Sequence, residues 1–286
     1  MLTARTPNEL RAALARLRRD GRRVGFVPTM GALHAGHLAL VARARELAER
    51  VVVSIFVNPT QFGPGEDFER YPRSPQRDAE LLAPAGCDLL FLPRVEDLYP
   101  SGHATFVEVG GPARGLEGDA RPGHFRGVAT VVTQLFHLIA PEVAVFGEKD
   151  AQQLAVVRRL VRDLHLPVAI VGHPTVREPD GLALSSRNVF LAPAERRAAL
   201  ALPRALERAA AAIAGGERAV AALLRLLHAA LAEEPSLEVE YAAAVDAESF
   251  APLPAEAALR GRVVLPLAVR VGATRLIDNL QVALDA

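Results

Sequence analysis

The chain has 286 residues, half of them hydrophobic, with 33 basic residues against 33 acidic and a formal net charge of zero. That length supports one or two buried cores, and the balanced charge excludes the basic footprint of a nucleic-acid or membrane-surface binder. No run approaches the ~18 uninterrupted apolar residues of a membrane span and no apolar leader opens the chain, while a single cysteine, Cys87, excludes an intrachain disulfide or a cysteine metal cluster. The expectation is a cytoplasmic protein with neither a nucleic-acid nor a membrane partner.

Thr6-Pro7-Asn8-Glu9 predicts a capped helix that runs to Gly21. Arg23–Val27 then reads as a buried strand, Pro28–Leu33 as a glycine-bearing turn, and His34 onward as a helix through Leu38, Leu40, Val41 and Leu47. Strand, turn and helix in that order build an anion site, because backbone N–H groups and the helix dipole converge on one point. His34 and His37 share a face of the first turn, and Gly36 between them lets a ligand approach. Capping or packing would explain one of the two histidines equally well.

Val51–Val57 is a continuous apolar run suited to a strand buried on both faces, so a right-handed crossover joins it to the preceding strand. It ends in Asn58-Pro59-Thr60-Gln61-Phe62-Gly63, at the carboxyl edge where open parallel sheets bind ligands. On chemistry alone Gln61 suits a substrate or the nearby backbone. Ser74-Pro75 opens a helix to Leu82, and Asp88–Leu92 is a third strand. Residues 94–126 are rich in Gly and Pro, with an edge strand expected at Thr105–Val109, and they carry Arg121, His124 and Arg126.

Val143–Phe146 is the next buried strand, followed by Gly147-Glu148-Lys149-Asp150-Ala151-Gln152-Gln153, in which Asp150 and Gln153 have capping-box spacing. Lys149 is the only lysine among the 33 basic residues. An arginine-biased chain keeps one lysine where a compact ammonium is needed, so Lys149 reads as a ligand to phosphate or to developing charge. Asparagine and glutamine are also scarce, at four and six residues, yet Asn58, Gln61, Gln152, Gln153 and Asn188 all fall in segments 27–37, 54–63, 146–153 and 184–190.

Val168–Val171 completes the first sheet, and a boundary near Thr175 divides the chain into domains 1–175 and 176–286. Leu184-Ser185-Ser186-Arg187-Asn188 is either a solvated turn or two hydroxyls and a guanidinium arranged as a phosphate clamp. Helices are expected over 194–213 and 217–233 and strands near 237–245, 262–269 and 273–281, which make a smaller α+β domain.

The H-x-G-H pattern of His34–His37 resembles the HIGH signature of nucleotidyltransferases, and the longer VPTMGALHAGHLAL resembles the pantothenate synthetase family. So do the VNPTQF segment ending at Phe62, RPGHFRGVATVVTQLF from Arg121, and Leu184–Asn188, where the family has Met in place of Leu184. The resemblance implies an α/β fold: a Rossmann-like parallel sheet that binds nucleotide, with the smaller α+β domain as a lid. It implies an ATP-dependent ligase joining pantoate and β-alanine through a pantoyl adenylate, with release of pyrophosphate and AMP. It assigns Met30, Gly31, Ala32, Leu33, His34, Ala35, Gly36, His37, Gly147, Glu148, Lys149, Asp150, Val176, Leu184, Ser185, Ser186 and Arg187 to the nucleotide, and Gln61 and Gln153 to pantoate. His34, His37, Lys149 and Arg187 then carry the catalysis, with His37 placed to donate a proton. Mg²⁺ travels with ATP, no metal ligand is identified, and a homodimer is implied. An adenylyltransferase would share the histidine motif without needing Gln61 and Gln153, and a nucleotide sensor would not need every reactive position intact.

Overall fold

The computed structural model describes residues 1–284. They form two compact units, one made of Met1–Glu148 with Val156–Pro174 and the other of Lys149–Ala155 with the chain from Thr175 onward.

In the first unit Thr6 caps α1 (Pro7–Leu17) by accepting the N–H of Glu9. The Glu9 carboxylate reaches back past the cap to the N–H of Arg5. Before this helix a short strand, β1 (Leu2–Ala4), pairs in parallel with β4 (Leu89–Phe91), an edge too brief to show periodicity in the sequence. Next come β2 (Val24–Thr29), α2 (Ala35–Leu47), β3 (Arg50–Ile55) and α3 (Pro75–Leu82) ahead of β4. Two single-turn helices, α4 (Val95–Leu98) and α5 (Glu117–Ala120), precede α6 (His124–Ile139). The unit's sheet closes with β5 (Val143–Gly147) and β6 (Ala169–His173), on either side of α7 (Ala151–Asp163).

The strands lie in the order β1-β4-β3-β2-β5-β6, every pair parallel. Alternate side chains go to opposite faces. Val27, Val51, Val53, Leu90 and Val145 pack with Leu40, Val41 and Ala44 of α2 and Leu82 of α3. Phe26 and Phe146 face the other way and meet Phe136 of α6 edge-on, with ring centroids 6.3 and 6.5 Å apart. Sheet order reverses between β2 and β5, the switch point at whose carboxyl end doubly wound sheets bind their ligands. Cys87 is buried in this core, and burial pushes its thiol up to about 12, so it is a packing residue.

Two expected elements take a different form. Thr105–Val109 makes no strand; its extended backbone is tied down by the Val107 N–H, which donates to Thr130 Oγ1 at 3.0 Å. β3 stops at Ile55, where the turn carrying Asn58 begins.

The second unit stacks α8 (Pro193–Ala199), α9 (Ala201–Ala214) and α10 (Val220–Ala232) against an antiparallel sheet of β7 (Leu237–Ala242), β9 (Arg262–Val271) and β10 (Thr274–Ala283), with β8 (Val245–Asp246) on β9. Leu202, Leu206, Leu223, Leu227, Leu265 and Val269 lie in its core. The single helix expected over 194–213 is broken at Leu200, because Pro203 has no N–H to return to the Ala199 carbonyl. Among the described residues no helix is long and apolar enough to cross a membrane.

Candidate active site

The loop after β2 is held from two sides. Thr29 donates its hydroxyl to the Ser54 carbonyl at 2.8 Å and accepts the Gly31 N–H at 3.2 Å. Gly31 and Ala32 then turn left-handed, with φ of 82° and 51°. A Cβ on Gly31 would lie 2.9 Å from Ile55 Cγ2 and 3.0 Å from Asp78 Oδ2, so glycine is required there on two counts. Asp78, 1% exposed on α3, accepts the N–H groups of Ala32 and Leu33 at 3.0 and 2.8 Å. These two amides thus serve a buried carboxylate that fixes the loop.

The helix start repeats that lesson. His34 is the N-cap of α2 and takes the Gly36 N–H on its Nδ1 at 3.2 Å, while His37 takes the His34 N–H on its own Nδ1 at 3.3 Å. The two rings lie 4.1 Å apart, tilted by 43°. A ring nitrogen that accepts a hydrogen bond carries no proton, so in both neutral imidazoles the proton sits on Nε2. In each histidine Nδ1 serves the start of the helix and Nε2 carries the proton.

The second motif is braced against the first. Gln61, buried in the 3-10 turn Pro59–Gln61 that follows β3, receives Asn58 Nδ2 on its Oε1 at 3.1 Å and donates Nε2 to the Met30 sulfur at 3.2 Å. Asn58 Nδ2 also donates to the Gly127 carbonyl at 3.1 Å. Gly127 admits the close approach of α6, since a Cβ there would lie 2.4 Å from the Thr60 carbonyl oxygen. The Gln61 carbonyl accepts from His124 Nδ1 at 2.9 Å and from Arg121 Nη2 at 3.4 Å. Arg121 forks onto Glu66, with bonds of 3.0 and 2.6 Å, and its Nη1 lies 3.2 Å from His124 Nε2. A carbonyl can only accept, so His124 is protonated on Nδ1 and takes the guanidinium N–H on Nε2. Burial, with the Arg121 charge second, pushes the His124 pKa down to about 4. Burial raises Glu66, but the Arg121 hydrogen bond and charge outweigh it and leave the carboxyl below its ordinary range.

Gly147 ends β5 and Glu148 follows it, both in the first unit. Lys149 and Asp150 follow in the second, on a 3-10 turn (Glu148–Asp150) that runs directly into α7 with Gln153 in its first turn. Lys149 Nζ lies 3.9 Å from Asp150 Oδ1. Val176 and Leu184 close a short hairpin, Leu184 N–H donating to the Val176 carbonyl at 2.9 Å, with Arg177 bridged to Ala183. Ser185 then caps a 3-10 turn, Ser186–Phe190, by accepting the Arg187 N–H at 3.2 Å, which leaves its own O–H to donate. Asn188 stiffens this turn by donating Nδ2 to Glu178 at 2.8 Å and to the Ala183 carbonyl at 3.0 Å.

Within the first unit, then, Met30 meets Gln61 and His34 meets His37, while Ala35 and Gly36 complete the turn between the imidazoles. Within the second, Lys149, Asp150 and Gln153 share one helix start and Ser185, Ser186 and Arg187 share one turn. Asp78, Asn58, Arg121 and His124 are holding residues; the sequence reading gave Asp78 and Asn58 no role and left Arg121 and His124 without one. For Asp78 a signal existed: it shares a helix stripe with Leu82, four residues on, and a carboxylate in an apolar stripe needs partners. Among the described residues no group of three or more His, Cys, Asp or Glu is placed to hold a metal.

The chain matches the family model "Pantoate-beta-alanine ligase" over residues 2–281. A pantothenate synthetase from Heliobacterium modesticaldum is 56% identical over 264 residues, covering 92% of this chain and 93% of that one. Among solved structures, pantothenate synthetase from Thermus thermophilus superposes with a TM-score of 0.91 at 55% identity, covering 98% of this chain and 99% of that one. Pantoate-beta-alanine ligase from Francisella tularensis, complexed with beta-gamma ATP and beta-alanine, superposes with a TM-score of 0.78 at 34% identity, covering 98% and 97%. The match spans both units and all the motif segments, so the chain belongs to the pantoate–β-alanine ligase family, the pantothenate synthetases.

Proposed function

We propose that the chain is an ATP-dependent ligase that condenses pantoate with β-alanine to pantothenate through a pantoyl adenylate. The observation that carries the reading is the contact of Gln61 Nε2 with the Met30 sulfur at 3.2 Å, which fixes a buried amide against the histidine loop. That arrangement suits a small hydroxy acid held beside a nucleotide, a need that a simple adenylyltransferase does not have.

In the first step a pantoate carboxylate oxygen attacks the α-phosphorus of ATP and the bond to the bridging β-phosphate oxygen breaks, releasing pyrophosphate. The carboxylate is already a nucleophile, so the step requires alignment and neutralisation of phosphate charge rather than a strong base. His34 and His37 supply neutral Nε2–H donors, and Lys149, Ser185, Ser186 and Arg187 supply an ammonium, two hydroxyls and a guanidinium. The backbone of Met30, Gly31, Ala32, Leu33, Ala35 and Gly36, with Gly147, Glu148, Asp150, Val176 and Leu184, shapes the nucleotide site. In the second step the β-alanine amine attacks the acyl carbon and AMP leaves, with Gln61 and Gln153 holding the pantoyl group. The imidazoles, ammonium, hydroxyls and guanidinium suit phosphate oxygens, and Mg²⁺ enters as the ATP complex. The proposal includes a cytoplasmic homodimer and a lid role for residues 176–286, as the family resemblance implies.

Exchange of labelled pyrophosphate into ATP tests this reading. Exchange that needs pantoate alone, with AMP and pantothenate formed only when β-alanine is added, is the expected result. Exchange that needs some other nucleophile instead would make the chain an adenylyltransferase.

A further inference from the structure

β10 carries two adjacent buried polar residues, Asp278 and Asn279, in a region where the sequence showed no chemistry. Successive strand residues point to opposite faces. Asp278 receives Arg177 as a two-pronged pair, Nη1 to Oδ2 at 2.6 Å and Nη2 to Oδ1 at 3.0 Å, and Arg177 Nη1 also reaches the Gly181 carbonyl at 3.1 Å. This pair anchors the hairpin that leads into the Ser185 turn. Asn279, 5% exposed, donates Nδ2 to the backbone carbonyl of Lys149 at 2.9 Å, and its Oδ1 accepts Gln281 Nε2 at 3.1 Å. The Lys149 carbonyl can only accept, which fixes the amide with its N–H toward Lys149 and its Oδ1 toward Gln281.

Asparagine usage supports a dedicated role. Asn8 is exposed and accepts from an Arg11 side chain, whereas the other three each donate to a main-chain carbonyl in or beside a motif segment: Asn58 to Gly127, Asn188 to Ala183 and Asn279 to Lys149. A carbonyl at a strand-to-helix junction has no regular partner, and a buried amide from a neighbouring strand supplies one. We propose that Asn279 is a positioning residue for Lys149, setting from the C-terminal strand the backbone from which the chain's only ammonium extends. The inference rests on the reading of Lys149 as a phosphate ligand.

A double-mutant cycle tests it, with kcat and KM measured for pantoate and ATP in the wild type, Asn279→Ala, Lys149→Ala and the double variant. The expected result is a kcat loss between about tenfold and a hundredfold for Asn279→Ala, with the pantoate KM unchanged and no further loss when Asn279→Ala is added to Lys149→Ala. Independent sites multiply their losses, whereas a residue acting only through another loses its effect once that other is gone. Equal losses in both backgrounds, or unchanged kcat in Asn279→Ala, would overturn the proposal. Full turnover in Lys149→Ala would overturn its premise, and a wild type without pantoate-dependent turnover would overturn the functional reading instead. Should Asn279→Ala give no cooperative melt, Asn279→Asp, which keeps the shape and removes the donor, takes its place; if neither folds, Asn279 is a scaffold residue and the proposal fails.

Discussion

His37 holds the backbone N–H of His34 on its Nδ1 at 3.3 Å, so the second histidine of the motif caps the residue that carries the first. The bond gives His37 two separable jobs, and substitution can divide them. Asparagine places its Oδ1 near the position of Nδ1 and has nothing at Nε2, so His37→Asn keeps the cap and removes the outward donor. We expect a melting temperature close to wild type and a kcat lower by about a hundredfold or more, the size expected for one donor to developing phosphate charge. Loss of fold with activity retained in the folded fraction would make His37 a capping residue only.

Asp78 accepts two amides of the loop after β2 from a fully buried position. In Asp78→Asn one acceptor becomes an N–H that faces an N–H, which leaves a buried donor unpaired at a cost of about 1–3 kcal/mol. Chemical denaturation should show that loss, and steady-state kinetics should show a raised KM for ATP, because Ala32, Leu33 and His34 are no longer held. An unchanged denaturation midpoint would mean that the loop is fixed by Thr29 and Gly31 alone.

Lys149→Arg keeps the positive charge and spreads it over a bulkier plane. The variant should fold normally and lose most of its adenylation rate, read as pantoate-dependent pyrophosphate exchange. Wild-type turnover would make the single lysine an accident of composition.

His124 links stability to acid. Its folded pKa of about 4 lies below its ordinary value of 6.5, so as pH falls the unfolded chain takes up this proton first. The contribution to stability is full above 6.5 and drains away between 6.5 and about 4, a swing on the order of 3 kcal/mol. In His124→Asn an amide can replace both hydrogen bonds, to the Gln61 carbonyl and from Arg121, without titrating. The gap in unfolding free energy between wild type and this variant should therefore narrow, or reverse in the variant's favour, as pH drops through that window. A gap independent of pH would show that His124 is not held neutral.

The sequence disclosed the parallel sheet because Val24–Val27, Val51–Ile55 and Val143–Phe146 are continuous apolar runs. Lys149, Met30, Asn58, Gln61, Gln152, Gln153 and Asn188 stand out in it as rare types in a chain built largely of Ala, Leu, Val and Arg. What it hid were partners distant along the chain. Asp78 serves Ala32 across 46 positions, His124 serves Gln61 across 63, and Asn279 serves Lys149 across 130. None of these pairs leaves a periodic trace, because each is set by where the sheet and α6 bring the backbone together. Local pattern shows that a turn leaves N–H groups over, and only the fold shows that Asp78 collects those of Ala32 and Leu33. The absence of a strand at Thr105–Val109 also follows from tertiary context, since Thr130 of α6 supplies the partner that a neighbouring strand would have offered.

In the proposed first step a pantoate carboxylate oxygen attacks the α-phosphorus of ATP. Running the full reaction with pantoate carrying ¹⁸O in both carboxylate oxygens, and weighing the products by mass spectrometry, tests it most directly. The expected result is one ¹⁸O in the phosphate of AMP and the other in the amide carbonyl of pantothenate, since the bridging oxygen leaves with AMP when the amine attacks. Label in inorganic phosphate, or AMP with no label, would contradict it.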